Sequence, residues 1–349
     1  MNDIALLTGP ERADIFQETA AQKSISSIVA MEKDFWVCWI LGQVFVPPLV
    51  DGMVFKGGTS LSKVYKAIDR FSEDVDLSLP REALGFTGEH DIQPGISRTK
   101  RDKLLTEMRK ACEARVAGQL RHDLITRVTE ALGASSQAAT WSVELDRGDA
   151  GTLLFAYPPA LATELYGAGR YIRPVIRLEF GGRNEVWPAQ IHAVQPYCLE
   201  VFPALSPTSS SAVNVLAGER TFWEKATLIH AEYHRPHASA RPERVSRHYA
   251  DLARLDHHEI GTRALQQVDL LRAVASHKGA YFPSKWARYD DAVNGSLHLV
   301  PHDALEHEVR SDYAAMREMF FNEPESFDDI LAVLRNMESR VNTLIAGSV

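Results

Sequence analysis

The spacing of apolar residues predicts alternating helices and strands in the N-terminal part of the chain. Residues 14–46 place apolar side chains at helical spacing, which predicts helix. Residues 51–56 form a short run that suits a strand, and residues 59–68 return to a helical pattern. Polar and apolar residues then alternate over residues 72–79, which predicts a strand with one buried face.

The pattern stays mixed as far as residue 194 and is helical near the end of the chain. A polar helix is predicted over residues 98–131, and strands are predicted within residues 141–157 and 172–194. The turn-rich stretch 203–211 is a predicted linker, and helices are predicted after it. We therefore predict an α+β core in residues 1–205, with an N-terminal helix and an inserted basic helix, and a helical domain in residues 206–349.

Composition and charge restrict the classes of protein that fit this pattern. The chain has 349 residues, of which 45% are hydrophobic and 24% are charged. These values are typical of a globular protein of about two domains. The net charge of −8 excludes a strongly basic nucleic-acid coat protein, although it permits a local basic surface.

Neither a membrane protein nor a disulfide scaffold is expected. The most apolar stretch, residues 35–50, is broken by Gly42, Pro47 and Pro48 and is too short to span a bilayer. The start of the chain has no basic stretch followed by an apolar run, as a signal peptide would. Three cysteines lie far apart in the sequence, which predicts no disulfide and fits the reducing cytoplasm.

A glycine pair followed by two hydroxyl residues predicts a phosphate-binding loop. Gly57 and Gly58 follow the first predicted strand, and glycine lets a backbone approach a bulky anion closely. Thr59 and Ser60 then begin a predicted helix, whose first N–H groups and positive dipole attract anions. Either hydroxyl is also a suitable helix cap.

Two aspartates about fifteen residues after this loop predict a metal site. Asp74 and Asp76 lie on the same face of the alternating strand. Two carboxylates on one face are costly unless a cation lies between them. Mg²⁺ prefers such oxygen ligands and also binds substrate phosphates. The loop and the aspartates together therefore predict a magnesium site beside a triphosphate.

Four segments resemble the AbiEii/AbiGii toxin family, a branch of the DNA-polymerase-beta-like nucleotidyltransferases. The most specific are Gly-Gly-Thr-Ser-Leu at residues 57–61 and Arg-Phe-Ser-Glu-Asp-Val-Asp-Leu at residues 70–77. The others are Glu-Arg-Thr-Phe-Trp-Glu-Lys at residues 219–225 and Arg-His-Tyr-Ala-Asp-Leu at residues 247–252. Weaker similarity at residues 31–35 and 277–301 extends the resemblance over roughly residues 28–320. It implies a nucleotidyltransferase core in which helices flank a mixed sheet, and a helical C-terminal domain that closes the active cleft.

The resemblance implies roles for individual residues. Asp74 and Asp76 match the family's metal-binding aspartates. Lys225 matches a lysine that contacts the nucleotide triphosphate, and Asp251 matches an essential acidic residue. The loop formed by residues 57–60 matches the segment that holds the terminal phosphates.

The superfamily usually has a third carboxylate on a neighbouring strand, and two residues are candidates for it. Glu179 alternates with Ile176 and Leu178 and so faces away from the core. Asp146 lies on another predicted strand and is the alternative.

The resemblance implies a cytoplasmic, Mg²⁺-dependent toxin that transfers NMP from an NTP to an acceptor hydroxyl. Two Mg²⁺ ions are expected, the implied acceptor is the 3′ end of tRNA, and a cognate antitoxin is expected as a partner. Nucleotidylation of a protein or a small-molecule hydroxyl is an alternative, as is a nucleotide-binding regulator without turnover.

Residues 95–127 form a basic segment that suits an RNA acceptor. They carry nine basic and four acidic residues, and this excess of +5 can follow a phosphate backbone. A solvated surface helix that does not bind RNA is the alternative interpretation of the same composition.

Overall fold

The chain forms two compact units in the computed structural model. The structure describes residues 1–347 apart from the side chain of Glu318 and residues 26, 73, 135–139, 167–172, 207–209, 238, 240 and 321–322. The first unit contains residues 1–64 and 71–216, and the second contains residues 65–70 and 217–349. The boundary between residues 205 and 206 inferred from the linker stays a prediction.

The first unit is built on a mixed β-sheet. Its strands in chain order are β1 (Val54–Lys56), β2 (Val75–Ser78), β3 (Ser142–Leu145), β4 (Thr152–Ala156), β5 (Val175–Gly181), β6 (Ala189–Val194) and β7 (Ser211–Leu216). Among the described residues these form one seven-stranded sheet in the order β3-β4-β5-β2-β1-β7-β6. The β2–β5 and β1–β7 pairs are parallel, and the other pairs are antiparallel.

The first unit also contains helices, which pack against this sheet or against one another. They are α1 (Asn2–Ala5), α2 (Gly9–Gln22), α3 (Ile28–Phe45), α4 (Gly57–Lys63), α5 (Arg98–Arg115), α6 (Arg121–Leu132) and α7 (Tyr197–Val201). A π-helical turn at Val116–Leu120 joins α5 to α6. The apolar run of the sequence is the buried helix α3, which packs against β5 and β7. Its Trp36 and Trp39 rings lie against Phe155 of β4. The α+β class predicted from the sequence is confirmed.

Two predicted elements differ from the structure. The helix predicted over residues 14–46 is divided into α2 and α3, because Ser27 caps a new helix by accepting from the N–H of Ala30. After the linker the sequence predicted only helix, yet Ser211–Leu216 is strand β7. Its alternating pattern covers only six residues beside a serine run, so its periodicity is weak.

The second unit is helical in its described residues. Its helices are α8 (Gly218–Tyr233), α9 (Ser246–Asp256), α10 (Glu259–Leu265), α11 (Val268–Tyr281), α12 (Tyr289–Val293), α13 (Asp303–Ala315) and α14 (Phe327–Ala346). Helix α8 packs against α9, α10 and α11, and α14 packs against α9. In neither unit does a described helix combine the length and apolar character needed to cross a membrane.

Candidate functional site

The two aspartates lie on one face of β2, as their spacing predicts. Val75 and Leu77 are buried, whereas Asp74 and Asp76 on the opposite face are half-buried. Asp74 immediately precedes the strand and Asp76 lies within it. The alternation therefore turns both carboxylates away from the hydrophobic core.

Glu179 lies beside Asp76 on the neighbouring parallel strand. The β2–β5 register pairs Asp76 directly with Glu179. Ile176 and Leu178 are fully buried, so Glu179 shares the polar face of the sheet with the aspartates. Burial and the negative charge of Asp74 raise the pKa of Glu179. The structure thus places Glu179 beside the two aspartates, from which it is distant in the sequence.

Arg177 lies among these carboxylates. Its Nε atom is 3.1 Å from Oε1 of Glu179 and 3.9 Å from Oδ1 of Asp74. Its guanidinium also pairs with Asp146, which follows β3. The N–H of Gly148 and the charge of Arg177 lower the pKa of Asp146. Asp146 and Glu179 therefore share the Arg177 guanidinium, and Glu179 differs from Asp146 in lying beside Asp76 in the register of the sheet. Which of the two is the third carboxylate stays a prediction.

The donor set of this face suits a hard divalent cation. Asp74, Asp76 and Glu179 offer only carboxylate oxygens, which Mg²⁺ prefers. As they stand, however, no three Asp, Glu, His or Cys side chains among the described residues come close enough together to hold a metal ion. Because a guanidinium lies among the carboxylates, a bound cation would displace Arg177 from at least part of this cluster.

Helix α4 begins directly at the glycine pair. Gly57 has a φ of +82°, a left-handed conformation that side chains disfavour. A Cβ atom there would lie 2.8 Å from Cγ of Asp76 and closer still to a carboxylate oxygen. Glycine therefore lets the loop and the carboxylate occupy adjacent positions. This close approach links the predicted phosphate loop to the predicted metal site.

The hydroxyl groups of the loop bond within the protein. Ser60 donates to the carbonyl of Gly57 at 2.9 Å. The hydroxyl of Thr59 lies 2.9 Å from that of Ser72 and donates to the carbonyl of Asp74 at 2.5 Å. Neither residue caps the helix, which starts earlier than predicted, with Lys56 at the N-cap. Binding of phosphate by the backbone N–H groups in the first turn of α4 stays a prediction.

A buried ion pair fixes the far end of α4. Lys63, its last residue, pairs with Asp34 of α3, and both side chains are buried. The Asp34 carboxylate also accepts from the N–H of Tyr197 at 2.8 Å. The Lys63 ammonium lies 3.6 Å from the centre of the Tyr197 ring. The loop is therefore held at a defined position by the helix that follows it.

The second unit brings Lys225 and Asp251 together. Lys225 Nζ on α8 donates to Oδ2 of Asp251 on α9 at 2.8 Å. Arg70 donates to both oxygens of the same carboxylate, each at 2.7 Å. All three side chains are buried. Although burial acts to raise the pKa of Asp251, Arg70 and Lys225 outweigh it and hold the pKa well below the ordinary value.

The predicted basic segment keeps only part of its charge on the surface. Arg121 donates to the carbonyl of Val143, and Arg127 donates to the carbonyls of Gln43 and Pro47. These two arginines therefore stabilise the fold. The other basic residues lie on α5, where several pair with acidic residues one helical turn away.

Sequence comparison relates this geometry to a known family. The family model described as nucleotidyl transferase AbiEii toxin, of type IV toxin–antitoxin systems, matches residues 39–333. The chain belongs to the AbiEii family. This membership confirms the resemblance seen in the sequence and makes the protein a toxin-type nucleotidyltransferase.

A solved structure is also similar to this AbiEii-family chain. MenT4, a nucleotidyltransferase toxin from Mycobacterium tuberculosis H37Rv, is 17% identical to it, with a TM-score of 0.45. The match covers 94% of this chain and 98% of MenT4. A search among curated proteins finds no match.

Three charged residues around the AbiEii motifs were not predicted as parts of a site. Arg177 precedes Glu179 by two residues, so strand periodicity already places the two on one face. Asp34 follows two charged residues and Lys63 follows Ser62, so no local pattern marks either side chain as buried. Their pairing with each other is a tertiary contact that the sequence alone does not reveal.

Proposed function

We propose that this AbiEii-family toxin transfers NMP from an NTP to the 3′ end of tRNA, with release of pyrophosphate. The parallel register that sets Glu179 beside Asp76 is the observation that carries the proposal. It gathers carboxylates from two strands next to a glycine loop, which is the donor set that a nucleoside triphosphate with magnesium requires. A product blocked at its 3′ end cannot be aminoacylated, which accounts for toxicity in the cytoplasm and for the need for an antitoxin.

Magnesium would be held by Asp74, Asp76 and Glu179. When bound, it supplies charge stabilisation for the attacking and the leaving oxygens of the reaction. The backbone N–H groups at Gly57 and Gly58 bind the terminal phosphates, and Lys225 adds a positive charge to the triphosphate. Glu179 takes the proton of the acceptor hydroxyl.

The test is transfer of label from each of four α-³²P-labelled NTPs to total cellular RNA in the presence of Mg²⁺. The variants are Asp74→Asn and Glu179→Gln, with Glu144→Gln as a matched control on the exposed part of β3. A labelled band of tRNA size that both site variants lose and the control keeps is the expected result. The NTP that gives this band identifies the nucleotide.

Other outcomes assign the acceptor differently. Label found in protein or in small alcohols, with pyrophosphate released, would replace RNA by another hydroxyl. NTP binding without pyrophosphate release would indicate a nucleotide-binding regulator. An Asp146→Asn variant that loses transfer while Glu179→Gln retains it would make Asp146 the third carboxylate.

A further inference from the structure

From the contacts of the buried Asp251 carboxylate, we infer that Arg70 is a positioning residue that keeps Lys225 available for the triphosphate. The inference rests on the proposed function, in which Lys225 binds the phosphates. Arg70 Nε donates to Oδ1 and Nη2 donates to Oδ2, so one planar group holds both oxygens. Lys225 shares Oδ2 from the other side at 2.8 Å.

The net charge of this cluster explains why Arg70 and Lys225 both contact the Asp251 carboxylate. An isolated Asp251–Lys225 pair would be neutral, and the carboxylate would compete with any phosphate for the ammonium group. With Arg70 present, the three side chains carry one net positive charge. The carboxylate is then held mainly by the fork of Arg70, and Lys225 presents charge that Asp251 does not cancel.

Arg70 is itself fixed within the second unit. Its backbone forms an antiparallel bridge with Phe320, and its side chain is only 3% exposed. Near the same group, Lys225 Nζ lies 3.5 Å from Nδ1 of His248. Burial and the charge of Lys225 lower the pKa of His248, so this ring stays neutral and adds no charge. The positive charge beside Asp251 thus comes from Arg70 and Lys225.

The experiment measures binding of inorganic tripolyphosphate with Mg²⁺ to the full-length chain by calorimetry, because this probe does not depend on the base. Arg70→Met should weaken binding about tenfold, since it leaves a neutral Asp251–Lys225 pair. In the double variant with Asp251→Asn, Lys225 again carries an uncompensated charge, so binding should recover to within about threefold of wild type. This rescue is not expected from a residue that only supports the fold.

Two further variants serve as controls. Arg254→Met removes an arginine of the same helix as Asp251 whose pairs with Asp69 and Glu325 are exposed, and binding should stay within about twofold. Arg70→Lys keeps the charge and should bind better than Arg70→Met. If Arg70→Met does not fold, Arg70→Lys and the double variant carry the test.

Lys225→Met separates failure of this inference from failure of the proposed function. If Lys225→Met weakens binding while Arg70→Met binds like wild type, the role of Arg70 is overturned and the proposed function stands. A double variant that binds no better than Arg70→Met also overturns it. If Lys225→Met binds like wild type, the phosphate role of Lys225 is wrong, and the inference fails with it.

Discussion

Gly57→Ala is expected to abolish most of the nucleotidyl transfer while leaving the protein folded. An alanine at a φ of +82° costs about 1–2 kcal/mol of stability, because the left-handed region is strained for a side chain. Its Cβ atom would lie 2.8 Å from Cγ of Asp76, where ordinary contact begins at 3.4 Å. The carboxylate must therefore retreat by at least about 0.6 Å.

This displacement is large on the scale of a catalytic site. Functional groups need placement within about 0.5 Å, and Mg²⁺ tolerates little departure from its ideal geometry. A misplacement of about 1 Å can cost 100-fold in rate, so we expect a loss of transfer activity of about that size. Tripolyphosphate binding should fall as well, because the same glycine shapes the phosphate loop.

Gly85→Ala is the matched control for this variant. Gly85 has a φ of +86°, yet no described atom lies within 4 Å of the position of its Cβ. Both variants therefore place alanine at a similar positive φ, and of the two only Gly57→Ala meets Asp76. The assays are urea unfolding and labelled NTP transfer. Equal activity in the two variants would refute the argument that the close approach to Asp76 positions the carboxylate.

Three further predictions concern charged residues. Asp34→Asn should lower the free energy of unfolding in urea by about 3–5 kcal/mol, because it leaves Lys63 buried without its counter-ion, and the double variant with Lys63→Met should recover much of the loss. Burial lowers the pKa of His230 to about 4. As the pH falls from about 6.5 to about 4, the unfolded chain therefore takes up a proton that the folded chain does not, and the free energy of unfolding should fall by about 3 kcal/mol. Arg177→Met should strengthen Mn²⁺ binding in the absence of nucleotide, measured by titration, because it removes the guanidinium that shares the carboxylates.

Each of these has an outcome that contradicts it. A cost below about 1 kcal/mol for Asp34→Asn would mean that the pair is not effectively buried. His230→Gln should flatten the pH dependence, and an unchanged slope would assign the effect to other histidines. Weaker Mn²⁺ binding by Arg177→Met would show that Arg177 organises the carboxylates instead of competing with the cation.

The sequence predicts which face of its strand each carboxylate of the first unit occupies, because the face depends on local periodicity. Alternation alone placed Asp74 and Asp76 on one face and Glu179 on the polar side of its strand, and the structure shows this arrangement. The register that joins Asp76 to Glu179 depends on which strands pair, which no local pattern determines. The roles of these residues in catalysis stay predictions.

Other features depend on contacts that are distant in the sequence. Thr59 is a suitable helix cap by residue type, yet its hydroxyl donates to the carbonyl of Asp74, and the helix starts earlier, at Gly57. Similarly, Arg70 was visible as part of a motif, but its partner Asp251 lies 181 residues away. Tertiary hydrogen bonds override local propensity at such positions.

Arg177 and Arg70 both pair with carboxylates, but their side chains differ in exposure, and this difference determines how easily each pair separates. Arg177 is 39% exposed, so water screens its pairs, and each such pair is worth about 1 kcal/mol or less. A divalent cation that binds the same carboxylates can therefore displace it. Arg70 is 3% exposed and holds both oxygens of Asp251, and separating a buried pair costs about 3–5 kcal/mol. It follows that Arg177 can yield its place during binding, whereas Arg70 stays bound and keeps the charge beside Lys225 fixed.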